Sequence, residues 1–163
     1  MTIYKNKDLF AAPHDAGQIV TWNKTYATGI ELIDTQHRKL VSLTNELYRA
    51  CLSGNDGDVF REAMKSMVEY VRFHFSAEQK LLEHINFPGH SNHKKQHDTL
   101  ILNILDAVQD YKEGRPFVPN NFVRTLKDWV FGHIAVHDKI YAAYYAEQEK
   151  TSRKDAKVSG TPR

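Results

Sequence analysis

The 163 residues, 41% hydrophobic and 26% charged, suit one soluble domain with a real core, and no run of eighteen apolar residues or basic-then-apolar leader marks a membrane span or secretory signal. The single cysteine, Cys51, excludes an internal disulfide and any cysteine-rich zinc or iron–sulfur site, so metal chemistry here must use nitrogen and oxygen. The formal charge of +2 is concentrated in residues 150–163, where five basic residues face one acid, so the body is slightly acidic and lacks the basic stripe of a nucleic-acid binder.

The expected protein is cytoplasmic, binds neither nucleic acid nor membrane, and ends in a disordered basic tail over 150–163. Residues 1–29 have no clear period but hold Val20, Trp22 and Tyr26, which reads as an extended arm laid on a helical body. From residue 30 to residue 149 the pattern predicts an all-α, antiparallel up-down four-helix bundle.

The first helical stripe runs Ile30, Ile33, His37, Leu40, Thr44, Leu47, Cys51 and breaks at Ser53-Gly54-Asn55-Asp56-Gly57, with Asp58 positioned to cap the next helix. The second carries Phe60, Met64, Met67, Val71, His74, Glu78, Leu81 and Ile85, and Asn86-Phe87-Pro88-Gly89 stops it. The third reads His93, His97, Leu100, Ile104, Val108, Tyr111, closed by Gly114-Arg115-Pro116. The fourth reads Phe122, Leu126, Trp129, His133, then Val136 or His137, then Ile140.

Histidine therefore falls on the apolar face of every helix. A lone core histidine is usually a satisfied packing residue, but five of them with Glu78 would leave several polar groups buried without partners, at several kcal/mol, unless a metal supplies the partner. The pairs His74-x3-Glu78 and His93-x3-His97 put two donors on one helix face a turn apart. After His133 the spacing leaves two candidates: His137, four residues on, shares its face, whereas Asp138, five on, lies about 140° round an ideal helix. Gly132 is a place where the helix could deform and bring Asp138 round.

The ordered series Trp22, Gly29-Ile30-Glu31-Leu32-Ile33-Asp34-Thr35-Gln36-His37, His74-x3-Glu78, Pro88-x4-His93-x3-His97 and Trp129-x3-His133-x4-Asp138 resembles the hemerythrins, the bacterial ones in particular, over about Val20 to Tyr145. The resemblance implies two non-haem irons bridged by an oxo or hydroxo group. His93, His97 and His133 would hold one, His37 and His74 the other, and Glu78 and Asp138 would bridge them. It also implies dioxygen as the ligand at the less saturated iron, with Leu40, Phe75, Trp129 and Val130 as the apolar pocket around it.

Two carboxylates and five histidines differ from the carboxylate-rich sets with Glu-x-x-His motifs in di-iron oxidases, and no Glu-x-x-His occurs in this chain. The expected function is reversible dioxygen binding for storage, delivery or sensing, without turnover and with an oxygen-consuming protein as client. The alternatives are a di-iron oxidase, peroxidase or nitric-oxide-handling enzyme, and an oxygen-sensing signalling module; zinc or manganese could also satisfy these donors. His14, His84 and His90 are expected at the surface, and Tyr141, Tyr144 and Tyr145 as packing or interface residues.

Overall fold

The computed structural model describes residues 17–53, 57–115 and 117–159. A 3-10 turn at Lys24–Tyr26 leads into α1 (Glu31–Ser53), α2 (Gly57–His84), α3 (His90–Lys112) and α4 (Pro119–His133); a π-helical turn at Ile134–Asp138 then joins α4 to α5 (Lys139–Ser159). The backbone stays right-handed helical through both junctions, so α4, the π turn and α5 make one rod. Helix α1 packs on α2, α2 on α3, α3 on α4 and α4 back on α1, which closes an antiparallel four-helix bundle. Among the described residues no helix is long and apolar enough to cross a membrane.

The breaker clusters end the helices by identifiable means. Asn86 takes φ 52°, and the bonds Phe87 N–H to Leu82 O (2.9 Å) and Asn86 N–H to Glu83 O (3.1 Å) close α2 in a Schellman pattern. Gly114, at φ 65°, ends α3 in the same way, with Arg115 N–H bonded to Asp110 O (3.0 Å). Asp58 lies inside the first turn of α2 and pairs with Arg61 at 2.7 Å rather than standing before the helix as its cap, because α2 starts one residue earlier.

The described part of the arm, residues 17–29, is clipped to α1. Asn45 accepts from the Ile19 and Val20 amides (2.9 and 3.2 Å) and donates to Val20 O (2.8 Å), while Asp34 accepts from the Thr28 amide and hydroxyl and the Gly29 amide. At the other terminus, where a disordered tail is expected, α5 continues to Ser159. Its residues 151–155 are exposed, and ion pairs one turn apart, such as Arg153–Glu149 at 3.7 Å, run along it. Residues 1–16, His14 among them, and 160–163 lie outside the described residues.

The interior is divided. One apolar cluster holds Leu40, Leu47, Met64, Met67, Val71, Ile104, Leu126 and Val130, and the other holds Ile30, Ile33, Leu82, Ile85, Tyr141 and Ala142. On every helix the inward-facing histidines or carboxylates fall between the residues contributed to these clusters, or at the edge of one. The bundle thus sandwiches a polar layer between apolar ends.

Candidate metal centre

Seven side chains form that layer. His37, Glu78 and Asp138 are 0% exposed, and His74, His93, His97 and His133 are at most 8% exposed. The helical period accounts for His37, His74, Glu78, His93, His97 and His133, each on the stripe that also supplies core residues.

Asp138 reaches the layer through the π turn. In such a turn residues five apart align, where an α-helix aligns residues nearer four apart, so Asp138 comes round beneath His133. His137, the competing candidate, is left half-buried with its ring 5.1 Å from that of His133. Gly132 precedes the deformation but has no positive φ, and a Cβ there would meet nothing within 4 Å, so its contribution is limited to weak helix propensity.

The donor atoms converge in two overlapping groups: Glu78, His93, His97, His133 and Asp138 in one, His37, His74, Glu78 and Asp138 in the other, with one atom per residue lying within 4.8 Å of the rest. In the first group the Nε2 atoms of His97 and His133 are 3.0 Å apart and those of His133 and His93 are 3.3 Å apart. Two imidazole nitrogens at right angles about one ion, each about 2.1 Å from it, would be about 3.0 Å apart. Both carboxylates are common to the two groups. Asp138 turns Oδ1 toward His133 (3.1 Å) and His93 (3.5 Å) and Oδ2 toward His37 (3.4 Å), while Glu78 turns Oε2 toward His97 (3.1 Å) and His93 (3.3 Å).

Neighbouring groups fix the ring tautomers. His37 Nδ1–H donates to the Tyr26 carbonyl and His74 Nδ1–H to Gln36 Oε1, each at 2.9 Å, which directs both Nε2 atoms into the layer. Those two nitrogens and both Asp138 oxygens are buried without a hydrogen-bond partner; Asp138 draws close to the imidazoles but is not aligned to accept from them. Four orphaned buried atoms among close-set donors of this chemistry fit a cation that would satisfy them all.

Without a metal, burial lowers the His74 pKa to about 4, so its ring is neutral at neutral pH and offers a lone pair. Burial also lowers His97. At His37 burial is outweighed by Asp138 and the Tyr26 carbonyl, and the pKa is raised. Burial works against the charged form of Glu78 as well, yet the imidazoles of His93 and His97 hold it well below the usual carboxylate range. Asp138 is lowered too, its imidazole neighbours overcoming burial and the charge of Glu78.

The apolar candidates lie on one side of this layer. Leu40, Phe75 and Val130 are buried in the larger cluster, and the Phe75 ring stacks on His97 with centroids 3.7 Å apart. Trp129 packs on the same cluster from a half-exposed position. His84 is exposed at the end of α2, and His90 is half-buried beside Glu83.

Three contributors are not apparent from periodicity. The Tyr26 carbonyl belongs to the arm; Gln36 is a polar neighbour of His37 with no metal-ligand spacing of its own. Tyr141, read from sequence as packing or interface, is 0% exposed and donates its hydroxyl to Glu78 Oε1. Its place three residues after Asp138 was the available signal, hidden by the irregular turn before it.

The family model described as the hemerythrin HHE cation binding domain matches residues 28–145, a span that contains all seven side chains. The chain is 25% identical over 124 residues to a bacteriohemerythrin of Methylococcus capsulatus, covering 76% of this chain and 94% of that protein. It is 29% identical over 122 residues to a bacteriohemerythrin of Pseudomonas aeruginosa, covering 75% and 78%. A crystal structure of wild-type hemerythrin superposes with a TM-score of 0.71 at 25% identity, covering 77% of this chain and 96% of that one.

Proposed function

The chain belongs to the hemerythrin family, and from that premise we propose that it holds two non-haem irons bridged by an oxo or hydroxo group and binds dioxygen there reversibly. His93, His97 and His133 would hold one iron, His37 and His74 the other, and Glu78 and Asp138 would span both. The observation that carries this reading is that the two carboxylates, and they alone, belong to both donor groups, with the two oxygens of Asp138 facing different histidines. When bound, the iron pair supplies the oxygen affinity and the electrons that accompany it.

The chain's own residues do the rest. Gln36 and the Tyr26 carbonyl orient His74 and His37 so that each presents Nε2 inward. Leu40, Phe75, Val130 and Trp129 would wall the ligand position with apolar groups, keeping out the water and protons that would convert a reversible adduct into oxidised iron. Five imidazoles and two carboxylates give a donor set that stabilises the ferrous pair more than a carboxylate-rich one would, which favours binding over turnover. The protein would then store or deliver oxygen to an oxygen-consuming client.

Metal analysis of the chain purified with iron should give two irons per chain. The ferrous protein exposed to air should develop a visible charge-transfer band that disappears under argon and returns with air. Fewer than two metals, or immediate irreversible oxidation accompanied by peroxide release, would refute the carrier.

A further inference from the structure

We infer that Tyr141 is a positioning residue for the metal centre: its phenol holds Glu78 in its bridging orientation and draws charge from one carboxylate oxygen, which biases the pair toward the ferrous form.

The two oxygens of Glu78 have different partners. Oε2 faces the His93 and His97 nitrogens at 3.3 and 3.1 Å, while Oε1 accepts the Tyr141 hydroxyl. Tyr141 stands on α5 just beyond the π turn, and Glu78 stands on α2, so the bond ties the two rods together beside the donor groups. Both side chains are fully buried, so bulk solvent does not reach that oxygen.

The phenol is itself held in place. Tyr141 packs with Ile30, Ile33, Leu82, Ile85 and Ala142, and its ring makes edge contacts with Phe87 (6.4 Å) and His93 (5.5 Å). A ring gripped on several sides gives its hydroxyl little freedom to seek another acceptor. A hydrogen bond to a carboxylate that also binds a metal withdraws electron density from it. The weaker donor stabilises the lower oxidation state of the metal more than the higher one, and outer-shell bonds of this kind also hold the ligand for binding. Packing alone would explain an aromatic side chain at position 141, but it would not require a hydroxyl pointed at Glu78 in an otherwise apolar cluster.

This inference rests on the di-iron reading, and the test separates the two. Wild type, Tyr141→Phe, and a chain with 3-fluorotyrosine at position 141, whose phenol is the stronger donor, are compared by Co²⁺ titration of the metal-free protein and by potentiometry of the iron-loaded protein. Tyr141→Phe should bind Co²⁺ about 10- to 100-fold more weakly. Its midpoint should move negative, a tenfold change in the ferrous-to-ferric ratio corresponding to about 59 mV for one electron. The fluorotyrosine chain should move the midpoint the opposite way with its fold unchanged. If the phenylalanine chain does not fold, the fluorotyrosine comparison decides alone. Equal Co²⁺ affinity and equal potential in all folded chains would overturn the role of Tyr141 while leaving the di-iron reading intact. A wild type that binds neither Co²⁺ nor iron would overturn both.

Discussion

Deleting Val136 should leave the metal centre intact, although a one-residue deletion in a helix ordinarily destroys whatever lies downstream. In a regular helix such a deletion turns every later residue by about 100° and draws it back about 1.5 Å. Val136 sits within the π turn with its side chain 59% exposed, so its loss removes little packing. At a spacing of five positions on an α-helix, His133 and the aspartate would be about 140° apart, and only the π turn brings them into line. With four, an ordinary α-turn places them about 40° apart, close to the orientation they have now. The deletion should therefore convert the π turn to α-helix, keep α5 in register, and change unfolding free energy by less than about 1 kcal/mol. If the register were instead lost, Tyr141 would leave its cluster at roughly 3–5 kcal/mol, by comparison with truncating a large buried aromatic, and the aspartate would leave the layer with it. The assay is urea unfolding of the metal-free chain together with metal stoichiometry, with a deletion of Ala77 in regular α2, one residue before Glu78, as control. The control should lose metal. Loss of metal and of several kcal/mol in the Val136 deletion as well would refute the idea that the extra residue is absorbed locally.

Other consequences can be measured alongside. Gln36→Leu removes the acceptor for His74 Nδ1–H, and metal affinity read by Co²⁺ titration should fall about 10- to 100-fold with helix content preserved. Leu40→Ala opens space at a fully buried position three residues from His37; it should cost about 2–5 kcal/mol in urea unfolding and hasten irreversible oxidation of the oxygenated ferrous protein. The metal-free chain should lose stability on acidification through His74: its folded pKa, about 4, lies below the ordinary value of 6.5, so this contribution is complete above pH 6.5 and is lost as pH falls toward 4. His37, whose pKa is raised, works in the opposite sense, contributing below 6.5 and losing its contribution as pH rises through its raised value. Thermal melts of metal-free His74→Phe and wild type across that range should show the smaller acid loss in the variant, and equal losses would contradict the burial argument.

Much of this protein is legible along the chain because its helices are regular. A 3.6-residue period places His37, His74, Glu78, His93, His97 and His133 on the same stripes as Leu40, Met67 and Ile104, so the residues that make the core also point the donors inward. The breaker clusters are equally local, since Asn86 and Gly114 end their helices through left-handed backbone at single residues. Where the period fails, so does the reading. Asp138 could not be chosen over His137 by spacing, because a π turn has no sequence mark comparable to a glycine cap. Tyr141 inherits the same ambiguity, being counted from beyond that turn.

What only the tertiary structure decided is the pairing of atoms across elements distant in sequence. Amino-acid order determined which faces are apolar and that imidazoles and carboxylates interrupt them, because helical geometry converts spacing directly into direction. It did not determine that the Tyr26 carbonyl meets His37, that Gln36 meets His74, that Tyr141 meets Glu78, or that Asp138 turns one oxygen to His133 and the other to His37. Those depend on how four rods and an arm settle against one another, and a hydrogen bond between residues tens of positions apart is chosen by that packing rather than by any local preference of the chain.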